Sequence, residues 1–308
     1  MSSPKDWKVE ITMIKVKDLV KYYGTSRALN KLNMHVPKGV VYGLVGPNGA
    51  GKTTLLQHIN AAMHPDSGEV LISDEPIFEN TQAKARIASI PSDFYYYNSA
   101  RICDMRDLHA SLFPSFDKKR FEELAEVFDM DVRRTIRSLS KGMKKQVAFW
   151  LALSQRPEIL LLDEPADGLD PTARYKVWGI VMGEVAERGM TVLSSSHNLR
   201  ELTDVCDYVG IMEKGQMRIE RSLGDLQENF AKVQLAFKDD TLYKPQGFEV
   251  LSEEQQGHLF TLVLKGDASK IENSFAQASP TFINVLPLSL EEIFIYELGG
   301  GANEYAAN

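Results

Sequence analysis

Cysteine is almost missing from this chain of 308 residues, with Cys103 and Cys206 the only two. They offer neither a disulfide framework nor the paired spacing of a zinc site, and a reducing compartment fits them best. The six histidines stand singly, so no metal cluster is legible. No apolar run approaches the roughly 20 residues a membrane-spanning helix needs. The N-terminal MSSPKDWKVEIT lacks the apolar core of a signal peptide and reads as a polar extension over residues 1–12. Basic residues are in deficit, 35 Lys and Arg against 42 Asp and Glu. The resulting charge of −7 argues against a general nucleic-acid binder. What is present is a chain, 44% apolar, that is soluble or peripheral to a membrane and long enough for one large domain or two.

The most informative stretch is VYGLVGPNGAGKTTLL, from Val41 to Leu56. A short apolar strand runs into Gly46-Pro47-Asn48-Gly49-Ala50-Gly51-Lys52-Thr53, and an apolar-periodic helix is expected from Thr54 to Met63. This is a glycine-rich phosphate loop in its required setting, with a strand before it and a helix after it. The glycines let successive N–H groups turn inward around an anion, and the helix N-terminus adds its positive end. Lys52 would reach the β- and γ-phosphates of a nucleoside triphosphate, and the Thr53 hydroxyl would ligate Mg²⁺.

Ahead of the loop, MIKVKDLVKYYG and LNKLNMHV alternate apolar and polar residues as two antiparallel strands. Tyr22 or Tyr23 could stack on a purine ring or pack into the core. After the loop, HPDSGEVLI and RIASIP read as strands, and SDFYYYNSAR as a surface loop. Residues 102–138 carry helical periodicity and interrupt the α/β alternation, which marks an inserted helical subdomain over about residues 98–145. In LSKGMKKQVAFWLALSQRPEILLLDEP, Ser140 can cap a helix and Ile159–Leu162 reads as a strand buried on both faces. That strand delivers Asp163 and Glu164 at its carboxyl end, where open α/β sheets bind ligands. One carboxylate can hold Mg²⁺ and the next can orient or deprotonate water, or the pair can simply cap the following helix. MTVLSSS is a second buried strand, ending at His197.

From about residue 227 the pattern changes to short strands, AKVQLAF, FEVLS, HLFTLVLK and TFINVLP, with one helical segment, ASKIENSFAQA, and a closing amphipathic helix, LEEIFIYELGG. The expected architecture is α/β. A main domain over 13–226 holds a parallel core sheet, an antiparallel β subdomain and the helical insertion. A small α+β domain over 227–298 and a loose tail over 299–308 follow.

With the phosphate loop, LSKGM, ILLLDEP, GLD and His197 in this order, the stretch from Met13 to Leu226 resembles the P-loop ATPase subunit of an ABC transporter. LSKGM is the discriminating motif, since P-loop kinases and GTPases lack it; the N-K-x-D motif of GTPases is absent as well. The resemblance implies two ATPase domains sandwiching two ATP molecules. Tyr23 would stack on adenine, and Asn48, Gly49, Gly51, Lys52, Thr53 and Thr54 would hold phosphates and Mg²⁺. Asp163 would belong to the Mg²⁺ site, Glu164 would be the general base, and His197 would contact the γ-phosphate and position the attacking water. Ser140 and Gly142 would bind the nucleotide of a second ATPase subunit, with Asp170 in a loop touching across the dimer. Two departures stand out. Lys141 and Met143 occupy positions where the family more often has Gly and Gln, and Ser92, followed by Asp93, stands where the family usually has a glutamine. The C-terminal domain and PLSLEEIF resemble the extension of bacterial exporter ATPases of the antibiotic and peptide-resistance type.

The resemblance implies ATP hydrolysis coupled to transport, most often export, through separate integral membrane subunits, with the chain peripheral on the cytoplasmic face. The alternative is a soluble ABC ATPase acting on nucleic acid, ribosomes or cofactor assembly. A third reading, motivated by Ser92, is a nucleotide-gated module that hydrolyses poorly. Tyr95-Tyr96-Tyr97, three adjacent aromatics in the loop entering the helical insertion, are expected to help receive the membrane subunit.

Overall fold

The computed structural model describes residues 11–93, 96–97, 99–238, 247–276, 278–286, 288–289, 292–293 and 296. Strands β1 (Thr12–Tyr23) and β2 (Ser26–Pro37) pair antiparallel. Their alternation changes phase at Asp18, which has φ 45° and sits at a register shift between Val16 and Leu19. The bulge lets Ile14, Val16 and Leu19 all point inward although their spacing is not uniformly two. Asn33 steadies it, accepting from the Asp18 amide and donating to its carboxylate, both at 3.1 Å.

The chain then enters β3 (Val41–Val45), buried at every position, turns, and continues as α1 (Lys52–Ile59). This helix begins two residues earlier than the apolar periodicity predicts, because Lys52 and Thr53 already have helical backbone. Strand β4 (Ser67–Ile72) pairs with β1, and β5 (Glu75–Pro76) completes an antiparallel sheet of order β2-β1-β4-β5. A short α2 (Thr81–Ala85) leads to β6 (Ile87–Ile90). Three helices follow, α3 (Ile102–Leu112), α4 (Lys118–Phe128) and α5 (Lys141–Ser154). Next come β7 (Ile159–Asp163), α6 (Pro171–Arg188), β8 (Thr191–Ser196), a short α7 (Arg200–Thr203), β9 (Tyr208–Glu213) and β10 (Gln216–Ser222).

The second sheet has the order β10-β9-β3-β8-β7-β6, and β3, β6, β7, β8 and β9 run parallel. Parallel strands end together, so β3, β7 and β8 deliver their carboxyl ends to one edge, with Val45 opposite Ser196 and Asp163 opposite Ser195. The core between the two sheets is filled by residues such as Ile14, Val36, Leu44, Leu55, Ile59 and Leu161.

The helical segment carries its own aromatic core. Phe121, Leu124 and Phe128 repeat at helical spacing on the buried face of α4. The Trp150 ring of α5 stacks on Phe121 at 4.4 Å, and its indole N–H donates to the Phe121 carbonyl at 2.7 Å. Nearby, Glu184 of α6 is buried with three arginines around its carboxylate. Arg120 of α4 lies at 2.8 Å, Arg156 beyond α5 at 3.1 Å, and Arg188 one turn further along α6 also pairs with it. Glu184→Ala removes this shared anion from Arg156 and Arg188, while Arg120 keeps, among the described residues, only Glu123 at 3.1 Å. It is expected to destabilise the fold by about 3 kcal/mol, read as a lower midpoint in urea unfolding with an unchanged slope.

The chain divides into two compact units, the first holding residues up to 197 and 204–220, the second 198–203 and those from 221 onward. In the second unit, α8 (Leu223–Glu228) precedes β11 (Phe230–Ala236), β12 (Glu249–Gln256), β13 (Leu259–Lys265), α9 (Ala268–Ala276) and β14 (Phe282–Leu286). The strands form an antiparallel sheet of order β12-β13-β11-β14. Val233, Leu235, Leu262 and Leu264 line one face of it, and Ile271 and Phe275 of α9 join the same core. The closing helix expected at LEEIFIYELGG lies mostly outside the described residues, and the tail over 299–308 entirely so.

Candidate functional site

The loop between β3 and α1 is shaped by a backbone that only glycine tolerates at its end. Gly51, the residue before α1, has φ 105°, and a Cβ there would come within 2.6 Å of the Ala28 carbonyl. The loop leads straight into the free N–H groups of the first helical turn, a favourable seat for an anion. Lys52 is buried, and its ammonium donates to the carbonyls of Gly46 at 2.6 Å and Pro47 at 3.3 Å. It also lies 3.6 Å from the Glu164 carboxylate. Burial pulls the Lys52 ammonium below its ordinary pKa, and Glu164 beside it works in the opposite direction.

Around this loop is an open pocket of about 420 Å³. Tyr23, Asn48, Gly49, Gly51, Lys52, Thr53 and Thr54 line it, together with Glu164 and Ser92. Sequence reasoning singled out each of these; Ala28, also in the wall, carries no side-chain signal. Tyr23 is 47% exposed, and its hydroxyl lies on the Met63 sulfur at 3.1 Å.

Two predicted residues join the pocket through others. Asp163, at the end of β7, accepts from the Thr53 hydroxyl at 2.8 Å on one oxygen and from the Ser195 hydroxyl at 2.6 Å on the other. His197, just beyond β8, lies 2.8 Å through Nδ1 from the Glu164 carboxylate, and its backbone amide donates to the same oxygen at 3.3 Å. Glu164 is thereby held between a cation and an imidazole, and its own backbone has φ 48°, an uncommon conformation outside glycine.

Three predicted residues are not in the pocket. The Ser140 hydroxyl caps α5, accepting from the Met143 amide at 3.2 Å. Gly142 abuts the turn after β7 so closely that a Cβ would stand 2.5 Å from the Gly168 carbonyl. Asp170 caps α6, accepting from the Ala173 amide at 2.9 Å. Of the aromatic run, Tyr97 is 71% exposed, Tyr96 is half-buried with its phenol pKa pushed up by burial, and Tyr95 lies outside the described residues.

Two contacts were missed in the sequence. Ser195 bridges Asp163 and Glu164, since its hydroxyl also accepts the Glu164 amide at 3.2 Å. Three consecutive serines in a strand buried on both faces ask for polar partners, yet the buried Ser194 hydroxyl has none among the described residues, and which serine meets Asp163 is set by strand register. Lys145, on α5, is buried and donates to the Glu164 carbonyl.

The site can hold a divalent cation only with help. Among the described residues no group of three or more His, Cys, Asp or Glu side chains gathers to bind one. The Thr53 hydroxyl and Asp163 carboxylate are hard oxygen donors of the kind Mg²⁺ prefers, and phosphate oxygens and water would complete its octahedron.

The family model described as ABC transporter matches residues 29–167. The chain is 30% identical over 288 residues to the ABC transporter ATP-binding protein YtrB of Bacillus subtilis (strain 168), covering 94% of this chain and 99% of that protein. It is 30% identical over 304 residues to the bacitracin transport ATP-binding protein BcrA of Bacillus licheniformis, covering 94% and 98% respectively. Among solved structures, an ATP-binding subunit of an ABC transporter superposes with a TM-score of 0.65 at 27% identity, over 70% of this chain and 92% of that one.

Proposed function

This chain belongs to the ATP-binding proteins of ABC transporters, nucleotide-binding ATPases that drive transport, and from that premise we propose that it powers export through separate integral membrane subunits. The observation that carries the site assignment is the contact chain Lys52–Glu164–His197, at 3.6 and 2.8 Å, on the same sheet edge as Thr53 and Asp163. A phosphate-binding cation, a base and a hydrogen-bonding imidazole stand in sequence there.

In this reading Tyr23 stacks on adenine, while Asn48, Gly49, Gly51 and Thr54 hold the phosphates with the loop amides. Lys52 leaves its carbonyl partners in part to meet the β- and γ-phosphates. Mg²⁺, held by Thr53 and Asp163, supplies charge neutralisation for the phosphates when bound. Glu164 takes the proton of the attacking water as its oxygen bonds to the γ-phosphorus, and the bond to the bridging oxygen of ADP breaks. His197 contacts the γ-phosphate and keeps Glu164 turned toward the water.

Ser140, Gly142 and Asp170 serve a second ATPase subunit, Ser140 and Gly142 by meeting the γ-phosphate it holds. Their position outside the chain's own pocket supports this division of labour. Among the described residues no helix is long and apolar enough to cross a membrane; in this reading separate integral membrane subunits form the transport path. The chain would sit on the cytoplasmic face of those subunits. The bacitracin-transport relative supports an antibiotic or peptide-type cargo. The alternative role on nucleic acid, ribosomes or cofactor assembly finds no support among these relatives.

Among the described residues of the aromatic loop, exposed Tyr97 is placed to meet the membrane subunit. Tyr97→Ser is expected to lower the share of the chain that fractionates with membranes several-fold while the ATPase rate of the soluble protein stays unchanged. Measuring Mg²⁺-dependent ATP hydrolysis and membrane fractionation on the same preparation tests the whole reading. A chain that hydrolyses no ATP and never follows a membrane protein would overturn it.

A further inference from the structure

Lys145 is 1% exposed, which is unusual for a lysine. Its ammonium faces no single carboxylate but donates to two backbone carbonyls, those of Glu164 at 2.5 Å and Asp167 at 3.2 Å. These are the two ends of one turn, for the Asp167 amide donates back to the Glu164 carbonyl at 3.3 Å. The turn begins at the strained backbone of Glu164 and is pinned at its other side by the Glu164 amide, which donates to the Ser195 carbonyl and hydroxyl, each at 3.2 Å. It packs against the first turn of the helix that carries Lys145, where Gly142 and Gly168 meet without room for a side chain.

A charge taken out of water in this way is costly unless something holds it. The carbonyls of Glu164 and Asp167 do so, and they gain in return a donor stronger than a neutral group could provide. The peptide unit that accepts from Lys145 is the one leaving Glu164, so the contact anchors the backbone on the far side of Glu164 and steadies the Cα position from which the carboxylate reaches Lys52 and His197.

We propose that Lys145 is a positioning residue for hydrolysis: its ammonium clamps the turn 164–167 onto α5 and so holds the Glu164 carboxylate where it can accept a proton. The proposal rests on the reading of Glu164 as the base. It adds a consequence, since Ser140 at the start of the same helix addresses the partner's nucleotide. One buried cation then ties the base of a chain's own site to the helix that reads the opposite site.

Lys145→Met keeps the length and apolar stem but removes the donors. Removing the cation alone leaves the Glu164 and Asp167 carbonyls without their donor, so the melting temperature should fall modestly while the protein stays folded under assay conditions. A misplaced catalytic group of this kind costs up to about 100-fold in rate, so kcat should fall by that order while KM and the Kd for ATP stay within twofold. Lys145→Gln, which restores an uncharged donor to the same carbonyls, should recover a substantial part of kcat.

The full-length wild type and both variants are to be compared by thermal melting, ATP titration and single-turnover hydrolysis. A Lys145→Met protein with wild-type kcat overturns the proposal. So does a parallel loss of melting temperature, ATP affinity and kcat, which marks a purely structural residue. If Lys145→Met fails to fold, Lys145→Gln decides alone: impaired kcat at normal Kd supports the clamp, and unimpaired kcat or a parallel loss of affinity refutes it. Should Glu164→Gln hydrolyse ATP normally, the reading of the base fails instead, which is a separate result from any seen at Lys145.

Discussion

Glu164→Gln is expected to lower ATP hydrolysis by about 10²–10⁴-fold, the share a positioned acid–base group contributes, and to leave ATP binding nearly intact. The exchange keeps the shape of the side chain and a carbonyl oxygen within reach of His197. It removes the proton acceptor and one negative charge, and that charge now stands 3.6 Å from the Lys52 ammonium. Lys52, freed of a competing anion, is better placed to meet phosphate, so affinity for ATP should hold or rise. Single-turnover hydrolysis and nucleotide titration separate the two effects. Equal losses in both would mean that Glu164 holds the site together and does not take the proton.

Lys52→Ala should also weaken binding. A hydrogen bond to a charged group contributes about 1.5–3 kcal/mol, so the lost phosphate contact should raise the Kd for ATP by roughly 10–150-fold. At saturating nucleotide, kcat should fall by a further 10²–10³-fold or so, the usual loss when one stabiliser of transition-state charge is removed. The fold should tolerate the change, because the Gly46 and Pro47 carbonyls lose a donor near an open pocket that admits water. A melting temperature that collapses together with ATP affinity would show that Lys52 serves the loop's structure and not the ligand.

The residues that were legible in the sequence are those whose chemistry is written in consecutive positions. The phosphate loop, the acidic end of β7 and the His197 strand end each follow from a local pattern of strand, turn and helix. Their meeting at one sheet edge follows from parallel pairing, which apolar runs such as Ile159–Leu162 announce. Contacts that depend on register were hidden. Ser195 faces Asp163 because β7 and β8 pair at that offset, and nothing local to either strand states it. Lys145 looks like a solvated charge on the helix after LSKGM, yet the close approach of Gly142 to Gly168 buries it against the acidic turn. Glu184 misleads in the same way: an acidic residue in a charged helix reads as exposed until three arginines from separate segments converge on it. In the second unit, the alternation of β11 and β13 was readable, while the strand order β12-β13-β11-β14 was not, since it depends on pairing between segments distant in sequence.

The placement of Ser140 and Gly142 outside the pocket gives the account its central claim, that each active site is completed by a second ATPase chain. The most direct measurement is the solution mass of the purified Glu164→Gln protein by light scattering, with ATP and Mg²⁺ and without them. Unhydrolysed ATP held by Lys52 of one chain and Ser140 of another should give twice the single-chain mass with nucleotide and the single-chain mass without it. Adding Ser140→Arg, whose bulk blocks the γ-phosphate contact, should return the complex to single chains. A Glu164→Gln protein that binds ATP yet keeps the mass of one chain would contradict the shared site between identical chains.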